Sequence, residues 1–143
     1  MLVSRDEFII DTDKSCLQFD VIQSFLINDS YWAQSRTPAQ TRIAIEHSIC
    51  FGLYDGAKQI GFARVVSDQA TFAYLGDVFV LKKYRGRGLS KWLMETIVAH
   101  PDLQGLRRWV LATRDAHGLY ERYGFAPLVY PDRWMELTAP DAY

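Results

Sequence analysis

A chain of 143 residues with 49% hydrophobic and 14% aromatic content can bury one sizeable core. A net charge of −1 gives no global field toward nucleic acid or an anionic membrane, and no apolar run reaches the length of a membrane span. Two isolated cysteines, Cys16 and Cys50, make neither a disulfide framework nor a metal site, and Met1 to Ser4 lead straight into Arg5, Asp6 and Glu7, unlike a leader; a single soluble cytoplasmic domain over 1–143 is expected.

Phe8 to Ile10 read as a first strand, closed by the polar run Asp11 to Ser15. Asp20 and Gln23 have capping-box spacing for a helix whose apolar side holds Val21, Ile22, Phe25 and Leu26. Asn28 to Arg36 is a loop carrying Tyr31 and Trp32. Thr37, Pro38 and Gln40 supply cap, first-turn proline and box partner for a second helix reaching about His47. Strands over Ser48 to Tyr54, Gln59 to Val66 and Thr71 to Leu81, separated by Asp55-Gly56 and Ser67-Asp68-Gln69, make an antiparallel meander. A helix from Leu89 stops near His100-Pro101. Arg108 to Ala112 is a further strand and Ala116 to Tyr123 a short helix, with Phe125 to Tyr130 and Trp134 to Leu137 expected to close the sheet.

The stretch Asp77 to Met94 organises this order. Val78, Phe79 and Val80 end a strand, Lys82 to Gly88 form a basic loop, and Leu89 opens an amphipathic helix with Leu93 and Ile97 on one face. Such a loop before a helix N-terminus suits an anion: the first helical N–H groups lack partners and carry partial positive charge. Lys82, Lys83, Arg85, Arg87 and Lys91 add cationic charge, and Gly86 and Gly88 let a ligand approach the backbone. The spacing is neither the Walker pattern nor G-x-G-x-x-G.

Arg85, Gly86, Arg87, Gly88, Leu89 and Ser90 do resemble the acyl-CoA loop of the GCN5-related N-acetyltransferases (GNAT), Q/R-x-x-G-x-G/A, with Ser at the last small position. A second segment is similar to that family's N-x-x-A-x-x-L/F-Y-E-x-x-G-F run: Ala116, Leu119, Tyr120, Glu121, Gly124 and Phe125 match, and Thr113 stands where Asn is usual. The resemblance extends through the element order. It implies an α/β (α+β) fold with a mixed, mostly antiparallel sheet flanked by helices, and a splayed parallel strand pair that binds acyl-CoA.

It also implies an acetyl-CoA-dependent N-acetyltransferase acting on a primary amine, a small molecule by preference. Val78, Phe79, Val80, the loop Arg85 to Ser90, Thr113 and Tyr120 would hold acetyl-CoA. The Val80 N–H would face the thioester oxygen, and Tyr120 would protonate the departing thiolate, a phenol having a reference pKa of ~10. Tyr123 reads as packing, as do His100 and His117, and His47 has no assigned role. Tyr31 and Trp32 are nominated for the acceptor wall.

Asp77 is the candidate base and a substrate contact. It alternates with Leu75 and Phe79, so burial on their face would raise its pKa, while a bulge at Gly76 would turn it outward. A carboxylate there would favour a cationic amine. A non-catalytic acyl-CoA-binding sensor or interaction module is the alternative, and a nucleic-acid loop is the weakest reading, because the net charge is −1 and no aromatic platform interleaves the arginines. The expected partners are a small-molecule amine acceptor and, as an option, a second copy in a homodimer; no nucleic acid, membrane or metal is expected.

Overall fold

A computed structural model describes residues 1–142. Its sheet begins with a hairpin whose first strand the sequence pattern does not announce. β1 (Leu2–Arg5) pairs with β2 (Phe8–Asp11) across Asp6-Glu7, Asp6 taking the left-handed conformation (φ 53°) that its short polar side chain tolerates. β1 is an edge strand with mostly exposed side chains, so no apolar alternation marks it.

α1 (Phe19–Asn28) starts at a different cap from the expected one. Gln18 is the N-cap, and neither Asp20 nor Gln23 forms a capping box. The Gln18 N–H donates to Gln59 Oε1 (2.6 Å), and its side-chain amide donates to the Ala57 carbonyl (2.5 Å). The helix start is thus fixed by a tertiary contact that local spacing cannot express. α2 (Pro38–Glu46) has the box that its sequence spells. Gln40 N–H donates to Thr37 Oγ1 (3.2 Å), and Thr37 N–H donates to Gln40 Oε1 (2.8 Å).

The meander is β3 (Ile49–Asp55), β4 (Lys58–Ser67) and β5 (Phe72–Val80); α3 (Leu89–Val98), β6 (Arg108–Val110) and α4 (His117–Glu121) follow. The strands lie in the order β1-β2-β3-β4-β5-β6, antiparallel throughout except for the parallel pair β5/β6. Helices cover both faces. Leu89, Leu93 and Ile97 of α3 pack with Ile10, Leu53, Ile60, Val65 and Leu75 on one side. Ile22, Phe25 and Leu26 of α1 pack with Phe62 and Phe79 on the other. No helix among the described residues is long and apolar enough to cross a membrane.

The expected closing strands do not form. Among the described residues after Phe125 there is no strand, and the one helical element is a short 3-10 turn at Pro131–Arg133; Val129 is 83% and Met135 96% exposed. Pro127 and Pro131 bracket the first segment and withhold two of the N–H donors a ladder would need.

Candidate active site

Two departures from regular pairing in β5 open the site. The first is a bulge. Arg64 of β4 faces Gly76 and Phe62 faces Phe79, so Asp77 and Val78 stand opposite the single Ala63. Asp77 holds a left-handed backbone (φ 52°), and the extra residue shifts the strand's alternation. Leu75 and Val80 therefore enter the α3-side core, while Phe79 stacks on Phe25 of α1 (3.9 Å between centroids).

The second departure is splaying. β5 and β6 pair only as Phe72↔Arg108, Ala73↔Trp109 and Tyr74↔Val110, and then separate. Leu81 N–H donates to Ile60 on β4 (2.8 Å), so strand alternation turns the preceding N–H, that of Val80, toward the gap. Arg85 Nε returns to the Val80 carbonyl (3.0 Å), tying the basic loop to the strand end.

Gly86 (φ 80°) and Gly88 (φ 75°) both adopt left-handed backbone with open space where a Cβ would sit. Gly88 is the N-cap of α3 and provides no capping side chain, so the first N–H groups of that helix stay available. Arg85, Arg87 and Gly88 are exposed, Ser90 is half-buried, and Leu89 is buried, offering a ligand its main chain only. The same holds for Phe79, whose ring is in the core. A loop with two cations, open glycine backbone and an uncapped helix start fits a pyrophosphate.

Beyond the splay lies a cavity of about 600 Å³ lined by Tyr31, Trp32, Asp77, Val78, Thr113 and Tyr120 among others. The nominated acceptor wall, the strand end and the tyrosine segment thus meet, while the Arg85–Ser90 loop lies outside this cavity, past the end of β5. Thr113 Oγ1 accepts from the Ala116 N–H (3.1 Å), so threonine provides the turn contact before α4.

Tyr120 is 9% exposed; burial, with smaller contributions from Tyr31 and Asp115, pushes its phenol up to about 12. It is protonated at neutral pH and no described residue takes its hydroxyl proton. Tyr123, one turn on, donates instead to the Lys91 carbonyl of α3 (2.8 Å). His100 is buried edge-on against Phe51, with Nδ1 accepting from the Asp102 N–H (3.2 Å). Cys50 is buried, Cys16 exposed, and both are free thiols.

Asp77 corrects the sequence reading twice. The bulge turns it off the Leu75 face, but into the protein rather than outward: it is 6% exposed. Trp32 Nε1 donates to Oδ1 (2.9 Å), Arg64 Nε donates to Oδ2 (2.6 Å), and Arg36 donates to the same Oδ2. Burial alone would push the carboxyl up, but Arg64 and Arg36 outweigh it and hold it below the usual carboxylate range. Asp77 is therefore a bound counter-ion, poorly suited to accept a proton.

Arg36 and Arg64 are the residues that sequence reasoning missed. A single arginine inside the apolar run Ile60 to Val66 was the available signal for Arg64. Arg36, in a loop just before a helix cap, offered none. Tyr31 Oη accepts from the Arg114 N–H (2.7 Å), and the Arg114 guanidinium lies over the Tyr31 ring (4.0 Å) at the cavity rim.

Comparison with known proteins gives the same frame. The profile of the acetyltransferase (GNAT) domain family matches residues 46–127. A Gibberella zeae protein named as a "putative acetyltransferase" is 32% identical over 139 residues, covering 82% of this chain and 77% of its own. The crystal structure of a Xanthomonas campestris protein described as a "putative acetyltransferase belonging to the GNAT family" superposes with a TM-score of 0.94 at 52% identity, over 98% of this chain and 99% of that one. A Clostridium acetobutylicum "predicted acetyltransferase", solved with acetyl-CoA, shares the fold at 15% identity (TM-score 0.65, 96% of each chain).

Proposed function

The chain belongs to the acetyltransferase (GNAT) domain family, and from that premise we propose that it transfers the acetyl group of acetyl-CoA to a primary amine of a small molecule by direct attack. The observation that carries this reading is the wedge between β5 and β6, where the cavity is lined by Val78 and Tyr120, the Val80 N–H points away from β4, and the glycine loop follows the strand end.

When bound, acetyl-CoA supplies the thioester whose carbonyl carbon the amine attacks. Arg85 and Arg87 would offset pyrophosphate charge, with the N–H groups at the start of α3 donating to its oxygens. The Val80 N–H is oriented to stabilise charge developing on the thioester oxygen. Tyr120 carries the proton for the leaving sulfur. Its raised pKa makes full transfer costlier than from an ordinary phenol, so much of its effect would come as a hydrogen bond donated to that sulfur. With Asp77 engaged by two arginines, the proton released by the amine goes to solvent; the amine enters as its free base. Consumption of acetyl-CoA fits the cytoplasmic setting expected from the sequence.

The test is release of the CoA thiol from acetyl-CoA against a panel of amines, with the acetylated product identified by mass. Binding of acetyl-CoA without release by any amine would return the chain to the sensor reading.

A further inference from the structure

We propose that the C-terminal arm, residues 126–142, is the docking surface for a second copy of this chain, each copy seating its arm in the groove beside the other's β6. This stands apart from the acetyl-transfer reading and does not depend on it.

The fold of one chain leaves this arm uncovered. Every described residue from 126 on is exposed, and Leu128, Val129, Tyr130, Trp134, Met135 and Leu137 are large apolar side chains within ten residues. Their open surface amounts to several hundred Å², where the largest patch of an ordinary monomer spans ~300–600 Å². A solvated tail is poor in aromatic and branched residues, and this arm is not. It is also held in place. The Arg108 guanidinium lies over the Trp134 ring (5.0 Å), and Gln40 Nε2 donates to the Ala142 carbonyl (3.2 Å). Met135 and Leu137 stand out in solvent between these two anchors. A surface ordered beforehand loses less entropy when a partner docks on it.

Shape and charge identify what covers it. A groove of about 860 Å³ is lined jointly by β6 and the arm. β6 pairs with β5 alone, so its other edge is open. Trp109 and Phe125 give the groove an apolar wall, and Arg107, Arg108 and Arg133 give it charge. No acidic residue lines it, and no carboxylate among the described residues pairs with these arginines. The arm has the opposite balance, Asp132, Glu136 and Asp141 against Arg133 alone. One copy's arm thus complements another copy's groove in polarity and in sign, and a two-fold axis makes the same match twice. Applied twice, a patch of this size reaches the ~1,200–2,000 Å² of a stable interface. The acidic balance of the arm disfavours an anionic membrane as the occupant.

The experiment is analytical ultracentrifugation of the full chain over a range of protein concentration. A dimer should dominate at ~10 µM. Val129→Glu with Leu137→Glu should leave a folded monomer, because both side chains lie in solvent in the single chain; circular dichroism and Tm check the fold. Charge reversal tests the partner. Arg107→Glu with Arg108→Glu inverts the groove, and Asp132→Lys with Glu136→Lys inverts the arm. Each pair should weaken self-association by at least ~10-fold. An equimolar mixture of the two reversed chains should recover a heterodimer, because both groove–arm contacts are again opposite in sign. Binding to phosphatidylglycerol vesicles is measured in parallel. A chain that stays monomeric at ~100 µM overturns the inference. So does a dimer unmoved by Val129→Glu with Leu137→Glu, a pair of reversed chains that do not find one another, or vesicle binding by a monomer that those two glutamates abolish. None of these outcomes touches the acetyl-transfer reading.

Discussion

Arg64 Nε donates to Asp77 Oδ2 at 2.6 Å across a bulge in which Asp77 itself holds a left-handed backbone. The contact depends on that irregularity. Without the extra residue Asp77 would continue the alternation of Ala73 and Leu75 into the α3-side core, where a carboxylate has no partner. The strain of a non-glycine residue at positive φ costs ~1–2 kcal/mol. It is offset by three donors converging on one carboxylate.

Asp77→Asn removes the charge while nearly preserving the shape. It leaves Arg36 and Arg64 side by side without their carboxylate, and breaking a buried pair in this way costs ~3–5 kcal/mol. Thermal unfolding should therefore show a large drop in Tm. The pH dependence gives a second readout. The carboxyl is held below its unfolded value of about 4, so its contribution is fully present above that pH and fades as pH falls toward the folded value. Wild-type stability should decline below about pH 4 more steeply than that of the variant. Parallel acid profiles for the two proteins would mean that the ion pair contributes nothing in solution.

Tyr120→Phe keeps the ring and removes the proton. Turnover should fall by roughly ten- to a thousand-fold with acetyl-CoA affinity nearly unchanged. Tyr123→Phe loses only the bond to the Lys91 carbonyl and should cost ~1 kcal/mol of stability with little change in turnover. Because the Tyr120 phenol is pushed up to about 12, its deprotonation should produce no alkaline loss of rate below about pH 10. A limb near pH 10 that disappears in Tyr120→Phe would show that its environment in the working enzyme is wetter than in the free protein.

The loop was legible because local backbone chemistry specifies it: glycine for left-handed turns, charge beside a helix start and an apolar stripe along the helix that follows; the tyrosine segment was legible only through its resemblance to the family's motif. The α2 cap is readable for the same reason as the loop, since Thr37 and Gln40 satisfy each other within four residues. Asp77 was not, because its fate depends on Trp32, Arg36 and Arg64, far away in sequence and brought together only by the fold. The α1 cap failed likewise, Gln18 taking its partner from Gln59. At the C-terminal end, apolar residues after Phe125 looked like strands, but Pro127, Pro131 and a three-residue β6 give them little to pair with.

The cofactor loop should respond to charge rather than to the thiol end of its ligand. Acetyl-CoA should raise Tm by binding the native state, and desulfo-CoA should retain much of the effect. Arg85→Ala with Arg87→Ala should weaken binding by at least ~10-fold, each charge-assisted contact to phosphate contributing ~1–2 kcal/mol. Arg85 also holds the Val80 carbonyl, so Arg85→Ala should lower turnover more than Arg87→Ala does. Wild-type affinity in the double variant would remove the loop from the cofactor site.

Gly61 tests the strand end from the opposite side. It pairs with Val80 across β4 and β5, and a Cβ at this position would lie 2.9 Å from the Phe79 carbonyl oxygen and 3.0 Å from Leu53 Cδ2. The leucine could move aside; the carbonyl belongs to the β5 main chain and could yield only if the strand shifts. That strand carries the Val80 N–H that faces the wedge. Gly61→Ala should therefore destabilise the protein by ~1–3 kcal/mol through overpacking. It should also lower kcat more than acetyl-CoA affinity, since the pyrophosphate loop lies beyond the strand end and can be kept. Gly118→Ala is the matched control: it lies within α4, where the added methyl would meet open space rather than another part of the fold, and helix propensity makes it neutral or stabilising by up to ~1 kcal/mol. Thermal melts, acetyl-CoA titration and turnover on the two variants separate a displaced Val80 N–H from a general loss of fold. If Gly61→Ala melts and turns over like the wild type, β5 has freedom to move, and the N–H it carries is not a fixed donor in the reaction.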